Sequence, residues 1–512
     1  MQHQIVQYAR AGYPGLYIIS PEEARIENEV EAAAKETKLK FFSWSSVTGI
    51  LDHQTSQNLG GADPIEMFDI FAKLPEKSLL LLKDFHLCLA GDPANPFLVR
   101  KLKDALNLSK KSNRMLIILA CRQILPPELE KDITILDAKL PNRDQIKQVL
   151  DGFMESTKSK IDGSLEAILD AASGLTTNEA ENAFALSAVR QKGKITADII
   201  AKEKAQTIRK NGILELIDTS IKMTDIGGMS TLKQWLVKRR SAFSKEAKTY
   251  GLPTPKGALL VGIPGTGKSL SAKATAAILE VPLLKLDAGK LFGSLVGQSE
   301  ANMRTALQVA EATAPCVLWI DEIEKGFSGT RSSGSTDGGT GSRVFGTFLT
   351  WLNDKTAPVF VIATANDISQ LPPEFLRKGR FDEMFFVDLP TATERNEIWN
   401  VQINRHNRKP TTFNLDQLTE ESDGFTGAEI EACVREALFA AFSENREPDT
   451  NDIVVSLQET VPLSKTMAAE VQSLRDWSKG RARSASTSLE AKVQQVLGKL
   501  GGRKLIAGDA SN

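Results

Sequence analysis

Residues 257–269 read Gly-Ala-Leu-Leu-Val-Gly-Ile-Pro-Gly-Thr-Gly-Lys-Ser. Ala258–Val261 is expected to be a short buried strand, and the Ala- and Leu-rich segment Leu270–Leu279 a helix. Between them Gly262, Gly265 and Gly267, with Ile263, Pro264 and Thr266 filling the loop, let successive backbone N–H groups turn inward onto an anion. Lys268 adds positive charge toward β- and γ-phosphates, and Ser269 places a hydroxyl where Mg²⁺ can use it. The helix N-terminus that begins near Leu270 faces the same anion. This spacing, in a strand–loop–helix context, predicts a cradle for ATP and Mg²⁺; the alternative is a chance glycine turn, which the context disfavours.

Three further segments supply what phosphoryl transfer needs beyond a cradle. Cys316-Val-Leu-Trp-Ile-Asp321-Glu322 reads as an apolar strand ending in two acids. Asp321 is placed to hold the Mg²⁺ shell and Glu322 to polarise water. Alone, such an ending is a solvated strand terminus. A third strand, Val359–Ala365, ends in Asn366, which could orient the water or simply make a turn. Arg377 and Arg380 then lie three apart in a glycine-containing turn, a spacing that suits a guanidinium pair offered to phosphate, although surface arginines often only solubilise.

The order of these motifs resembles one AAA module, of the AAA clade of AAA+ ATPases, over roughly residues 220–450. The matching strings are Asp225-Ile-Gly-Gly228, the Walker A loop at 262–269, the Walker B strand ending at Glu322, the sensor Asn366, the finger pair Arg377/Arg380, and Gly424-Phe-Thr-Gly-Ala-Glu429. The resemblance implies that Asp225, Ile226, Gly227, Gly427 and Ala428 also contact the nucleotide. It implies that Lys268, Glu322, Asn366, Arg377 and Arg380 carry the catalysis, and that Ser269 and Asp321 hold Mg²⁺. It implies that the arginines act in trans within a homo-oligomeric ring, usually a hexamer, acting on a protein client. Within the clade, Gly-Ser-Leu-Val-Gly-Gln-Ser-Glu at 293–300 is similar to the conserved open-reading-frame AAA proteins of algal plastids and cyanobacteria. That narrower likeness implies a cyanobacterium-like cytosol or plastid stroma and a role near photosynthesis or inorganic-carbon use. Leu295 stands where many members carry the aromatic of a pore loop, with Phe292 nearby, and 328–342 is a Gly/Ser/Thr run expected to be flexible where a second pore loop falls.

The first half reads as a worn copy of the second. Leu125-Pro-Pro-Glu-Leu129 parallels Leu371-Pro-Pro-Glu-Phe375, and Gly174-Leu-Thr-Thr-Asn-Glu-Ala-Glu181 parallels Gly424-Phe-Thr-Gly-Ala-Glu-Ile-Glu431. Leu16–Ser20, Leu79–Leu82 and Met115–Ala120 match the phosphate-loop, Walker B and sensor strands. Its chemistry is missing: Ser20-Pro-Glu-Glu-Ala-Arg25 replaces the cradle, Lys83-Asp84 replaces Asp-Glu, and Glu130-Lys131 replaces the first finger. An unrelated α/β domain with coincidental matches is the duller reading.

The expected fold class is therefore α/β. A P-loop NTPase module of AAA+ type, a parallel sheet with flanking helices plus an α-helical lid, follows a degenerate AAA-like α/β domain. The boundaries are 1–205 for the degenerate domain with its small lid, 206–220 for a linker, 221–392 for the large nucleotide-binding subdomain, 393–478 for the lid, and 479–512 for a flexible tail with a short helix. A formal net charge of −1 argues against nucleic acid as the main partner. Lys238-Arg239-Arg240 reads as a solvated helix end rather than a nucleic-acid contact. The N-terminus lacks the pattern of a secretory signal, and no apolar run is long enough for a membrane span. The four separated cysteines read as reduced, buried thiols of a cytoplasmic protein.

Overall fold

The computed structural model describes residues 1–91, 94–210, 212–217, 225–243, 245–288, 291, 298–327, 338–377 and 379–486. The chain forms two compact units, Met1–Lys204 and Ala205–Asn512. Among the described residues no helix is long and apolar enough to cross a membrane. The pore-loop positions Phe292 and Leu295, and residues 328–337 of the Gly/Ser/Thr run, lie outside the described residues.

The N-terminal unit is built on strands β1 (Gly15–Ile19), β2 (Lys40–Ser45), β3 (Gly49–Asp52), β4 (Gln57–Asn58), β5 (Ser78–Lys83), β6 (Met115–Ala120) and β7 (Thr134–Asp137). They lie in the order β4-β3-β2-β5-β6-β1-β7. The five strands from β2 to β7 pair in parallel, while β3 and β4 add an antiparallel edge. The continuous apolar runs of β5 and β6 follow from burial on both faces, since helices cover each side of a parallel sheet. Phe42, Phe68, Phe71 and Phe85 pack on one face and Ile5, Ile26, Val30 and Ala34 on the other. Helices Arg143–Thr157, Leu165–Ala172 and Thr177–Arg190 gather around Ile146, Leu150, Ile168 and Phe184, beside the short parallel pair β8 (Lys160–Ile161) and β9 (Lys194–Ile195).

The C-terminal unit carries β10 (Leu214–Ile217), β11 (Gly257–Gly262), β12 (Leu283–Leu286), β13 (Cys316–Ile320), β14 (Val359–Ala365), β15 (Glu383–Val387) and β16 (Arg483–Ser484), in the order β10-β12-β13-β14-β11-β15-β16. Pairing is parallel except at β10. Counting only the five central parallel strands, both units run second, third, fourth, first, fifth in chain order. The internal repeat seen in short strings thus extends to strand order. In the second unit Trp399, Ile403, Leu418, Ile430, Val434, Ile453 and Leu457 form the core of a helical lid.

Two expectations need correction. Cys316 and Cys433 are buried, but Cys88 is only partly so and Cys121 is exposed, because it follows β6 immediately and falls outside the sheet's apolar layers. The start of the tail is not a free tether. β16 pairs with β15, Ala485 is fully buried, its N–H donates to Phe386 O at 2.9 Å, and its carbonyl accepts from Thr231 and Leu232 N–H. Arg475 anchors the preceding helix on Asp388 at 2.9 Å. The basic cluster is spent locally: the Arg239 guanidinium lies 3.6 Å over the Trp235 ring and Arg240 pairs with Glu280.

Candidate functional site

β11 ends at Gly262, and after the five residues 263–267 the helix Lys268–Leu279 starts with Gly267 at its N-cap. Gly265 and Gly267 hold φ of +77° and +92°, a region that only glycine enters cheaply. A Cβ on Gly262 would meet Val387 O at 2.1 Å, and one on Gly265 would press on Thr426 Oγ1 at 3.0 Å. The loop therefore passes too close to β15 and to the lid for any side chain at either position.

Lys268 is almost fully buried, and its ammonium donates to Gly262 O at 2.8 Å and Ile263 O at 2.7 Å. Burial pushes its pKa down to about 8, against the pull of Glu324, Asp321 and Glu322. Ser269 Oγ donates to Asp321 Oδ1 at 3.1 Å, and Thr364 Oγ1 donates to the same oxygen at 2.7 Å. Thr364 in turn accepts the Glu322 N–H at 2.9 Å, so a hydroxyl on β14 fixes the turn at the end of β13. Glu322 has φ +48°, a left-handed bend that turns its side chain out of the strand path. Asn366 Nδ2 donates to Glu322 Oε1 at 3.0 Å, and Lys325 pairs with the other oxygen, Oε2.

Glu324 is an acid that motif reading passed over. It is buried, its Oε1 accepts the Asn366 N–H at 2.9 Å, its Oε2 has no protein partner, and desolvation raises its pKa. A buried carboxylate with an unpaired oxygen beside Lys268 makes this end of the site strongly polar.

These groups open on a cavity of about 480 Å³ lined by Asp225, Ile226, Gly227, Pro264, Gly265, Thr266, Gly267, Lys268, Ser269, Leu270, Asp321, Glu322, Asn366, Gly427 and Ala428, with Met229 and Thr364. The volume falls within the range of ligand pockets, roughly 300–1,000 Å³. Gly262 and Ile263 lie beneath it, contributing the carbonyls that hold Lys268. The lid supplies Ile398, Val401, Gln402, Arg405 and Glu431, which the motifs did not identify. Positions 398, 401, 402 and 405 form one face of the helix Ala392–Arg405, a helical spacing that the sequence does display. Ala428 N–H donates to Gly265 O at 3.1 Å, joining lid and loop directly. Glu397 and Glu394 accept the Gly228 and Met229 N–H groups at 2.7 and 2.9 Å, which fixes the Asp225–Gly228 wall.

Arg377 and Arg380 are not brought into this cavity. Arg377 is exposed, and Arg380 donates to Leu349 O at 3.1 Å.

With this geometry in view, residues 258–389 match the ATPase family associated with various cellular activities (AAA), and 412–454 match the AAA+ lid domain. The AAA domain-containing protein ycf46 of Guillardia theta is 41% identical over 93% of this chain and 95% of its own length. The chain belongs to the AAA ATPase family. The ycf46 protein of Pyropia yezoensis is 40% identical over 93% of the chain and 97% of its own length. This AAA chain also matches the SpoVK-like AAA ATPase N-terminal domain at 1–138 and the SpoVK-like second domain at 144–211. More distant AAA relatives share only part of their length. The cell division cycle protein 48 homolog of Archaeoglobus fulgidus is 32% identical over 45% of this chain, and the ATP-dependent zinc metalloprotease FtsH of Acholeplasma laidlawii is 32% identical over 50%.

Proposed function

We propose that this chain hydrolyses ATP with Mg²⁺ at the 262–269 loop and uses the cycle to remodel a protein client as a ring, with the finger arginines supplied in trans. The observation that carries the hydrolytic part is the joining of Lys268, Ser269, Asp321, Glu322 and Asn366 around one cavity. A hydroxyl and a carboxylate are the donor set that Mg²⁺ takes alongside phosphate oxygens, so Ser269 and Asp321 fit the ion. When bound, it would neutralise charge on the phosphates. Lys268 contributes fixed positive charge at the loop, Glu322 accepts a proton from water, and Asn366 holds the Glu322 carboxylate in place. Thr364 and Glu324 position the same strand ends.

Remodelling is favoured by the partial likeness to the protein 48 homolog and to a protease whose name states ATP dependence. The alternative is a regulatory switch in which ATP binding controls assembly with little mechanical work. The two are separated with a client captured by the Glu322→Gln chain: a remodeller hydrolyses faster when that client is added and changes the client's conformation, whereas a switch does neither. A cytoplasmic or stromal setting near photosynthesis or inorganic-carbon use is part of the proposal through the ycf46 likeness stated above.

The Lys268 ammonium makes ATP binding depend on pH. Its folded pKa of about 8 lies below the ordinary lysine value, so the charged fraction falls as pH rises through 8. Phosphate favours the charged form. At about pH 9, binding should take up protons and weaken with each further rise, while near pH 7, where most of Lys268 is already charged, it contributes little uptake. Calorimetry in buffers of different ionisation heat reads the uptake. No proton uptake at about pH 9 would remove Lys268 from the phosphate contact.

A further inference from the structure

The N-terminal unit repeats the strand order of the ATPase unit, and what stands in its phosphate position is a side chain of its own. Between β1 and the helix Glu23–Thr37 lie only residues 20–22, against residues 263–267 in the other unit. Glu22 is the N-cap of that helix, where Gly267 caps the phosphate-loop helix. The helix Thr177–Arg190 opens with a capping box of Thr176 and Glu179, as the lid helix Gly427–Ser443 opens with Thr426 and Glu429. In the ATPase unit the start of that lid helix meets the loop at Gly265 O. In the N-terminal unit it meets a carboxylate: Thr177 N–H and Oγ1 donate to Glu22 Oε1 at 2.7 and 2.9 Å.

The other oxygen of Glu22 accepts Arg25 Nε and Nη2 at 2.9 and 2.6 Å, and Arg25 also reaches Glu29 and Lys139 O. The Glu22 side chain is 2% exposed and that of Arg25 11%. A buried anion is tolerated only where donors surround it, and here the N-terminus of the helix Thr177–Arg190 and the Arg25 guanidinium do so. At the metal end the signs are exchanged. Where the ATPase unit carries Lys268 at the first helical residue and Asp321 at the strand end, the N-terminal unit carries Glu23 and Lys83 at the corresponding positions. Lys83 Nζ lies 3.1 Å from Glu23 and 2.7 Å from Glu27, and those hydrogen bonds hold its pKa above the ordinary lysine value despite burial. The backbone bend is kept: Asp84 has φ +54° where Glu322 has +48°.

We propose that the N-terminal unit retains an anion site between the first turns of helices Glu23–Thr37 and Thr177–Arg190, that Glu22 is its permanent internal ligand, and that this clamp closes the small helical subdomain onto the sheet without nucleotide. Lys83 stands in for the cation. The inference is independent of the nucleotide reading, since it concerns a site with no phosphate loop.

The test is hydrogen exchange on the full chain, read at the Thr177 amide, with Glu22→Ala and Glu22→Gln variants. Glu22→Ala should speed exchange there by roughly ten- to a hundredfold, as expected for loss of a charge-assisted bond. Added acetate, which matches the deleted group, should restore protection in Glu22→Ala beyond equal chloride. It should do nothing for Glu22→Gln, whose side chain still fills the place. The Ala428 amide should stay unchanged in both variants. Unaltered Thr177 protection in Glu22→Ala would overturn the clamp. Faster exchange that acetate does not reverse would overturn the anion site. If Glu22→Ala does not fold, Glu22→Gln carries the decision: faster Thr177 exchange supports the clamp and wild-type protection overturns it.

Discussion

Arg377→Ala, and separately Arg380→Ala, should retain near-normal ATP binding while hydrolysis falls by about 10³-fold or more. Neither side chain lines its own subunit's cavity, so the affinity of an isolated pocket does not depend on them. In the proposed ring, the exposed Arg377 guanidinium would act on a neighbour's phosphate, because a charge that develops in the transition state is stabilised most by a donor already in place. Two measurements follow from the trans arrangement. Wild-type specific activity should rise with protein concentration, and mixing Arg377→Ala with Lys268→Ala chains should restore some turnover, one supplying the finger and the other the pocket. Full specific activity in a dilute monomeric sample would overturn this arrangement.

Glu322→Gln should bind ATP about as well as wild type and lose about 10²- to 10⁴-fold in turnover, the usual span for a positioned general base. Gln preserves the shape and can still meet Asn366, whose amide now holds Glu322 Oε1 at 3.0 Å. What it cannot do is take a proton from water. It also loses the ion pair with Lys325, but that lysine is an exposed surface partner and its release costs little. Equilibrium binding and single-turnover phosphate release distinguish the two effects. Equal turnover in variant and wild type would remove Glu322 from the chemistry.

What the sequence displays is local. The phosphate loop is contiguous, so its glycines, Lys268 and Ser269 announce themselves by spacing alone. Asp321, Glu322 and Asn366 sit at the ends of apolar runs, where a parallel sheet collects functional groups. Thr364 was hidden inside β14 because its function comes from a hydroxyl bond to a residue 43 positions away, which no local pattern reveals. Glu324 belongs to no motif, yet the short helix Ile323–Phe327 turns it inward. The lid face at Ile398–Arg405 had a readable helical period, but nothing in it says that the face looks at a cavity rather than at the lid core. The strand Arg483–Ser484 was illegible for a simpler reason: two polar residues in a Ser- and Arg-rich stretch carry no strand pattern, and only the open edge of β15 recruits them. In the N-terminal unit the missing cradle was plain, whereas the replacement of phosphate by Glu22 required a contact between residues 155 apart.

Titration calorimetry of the full chain with ATP and Mg²⁺ tests the central claim most directly, because the two units repeat one sheet order but, among the described residues, the glycine loop with Lys268 and Ser269 belongs to the second. The account predicts one nucleotide per chain for wild type and for Glu322→Gln, and none for Lys268→Ala, which removes the charge at the heart of the loop. Two nucleotides per chain, or one retained by Lys268→Ala with undiminished affinity, would contradict it.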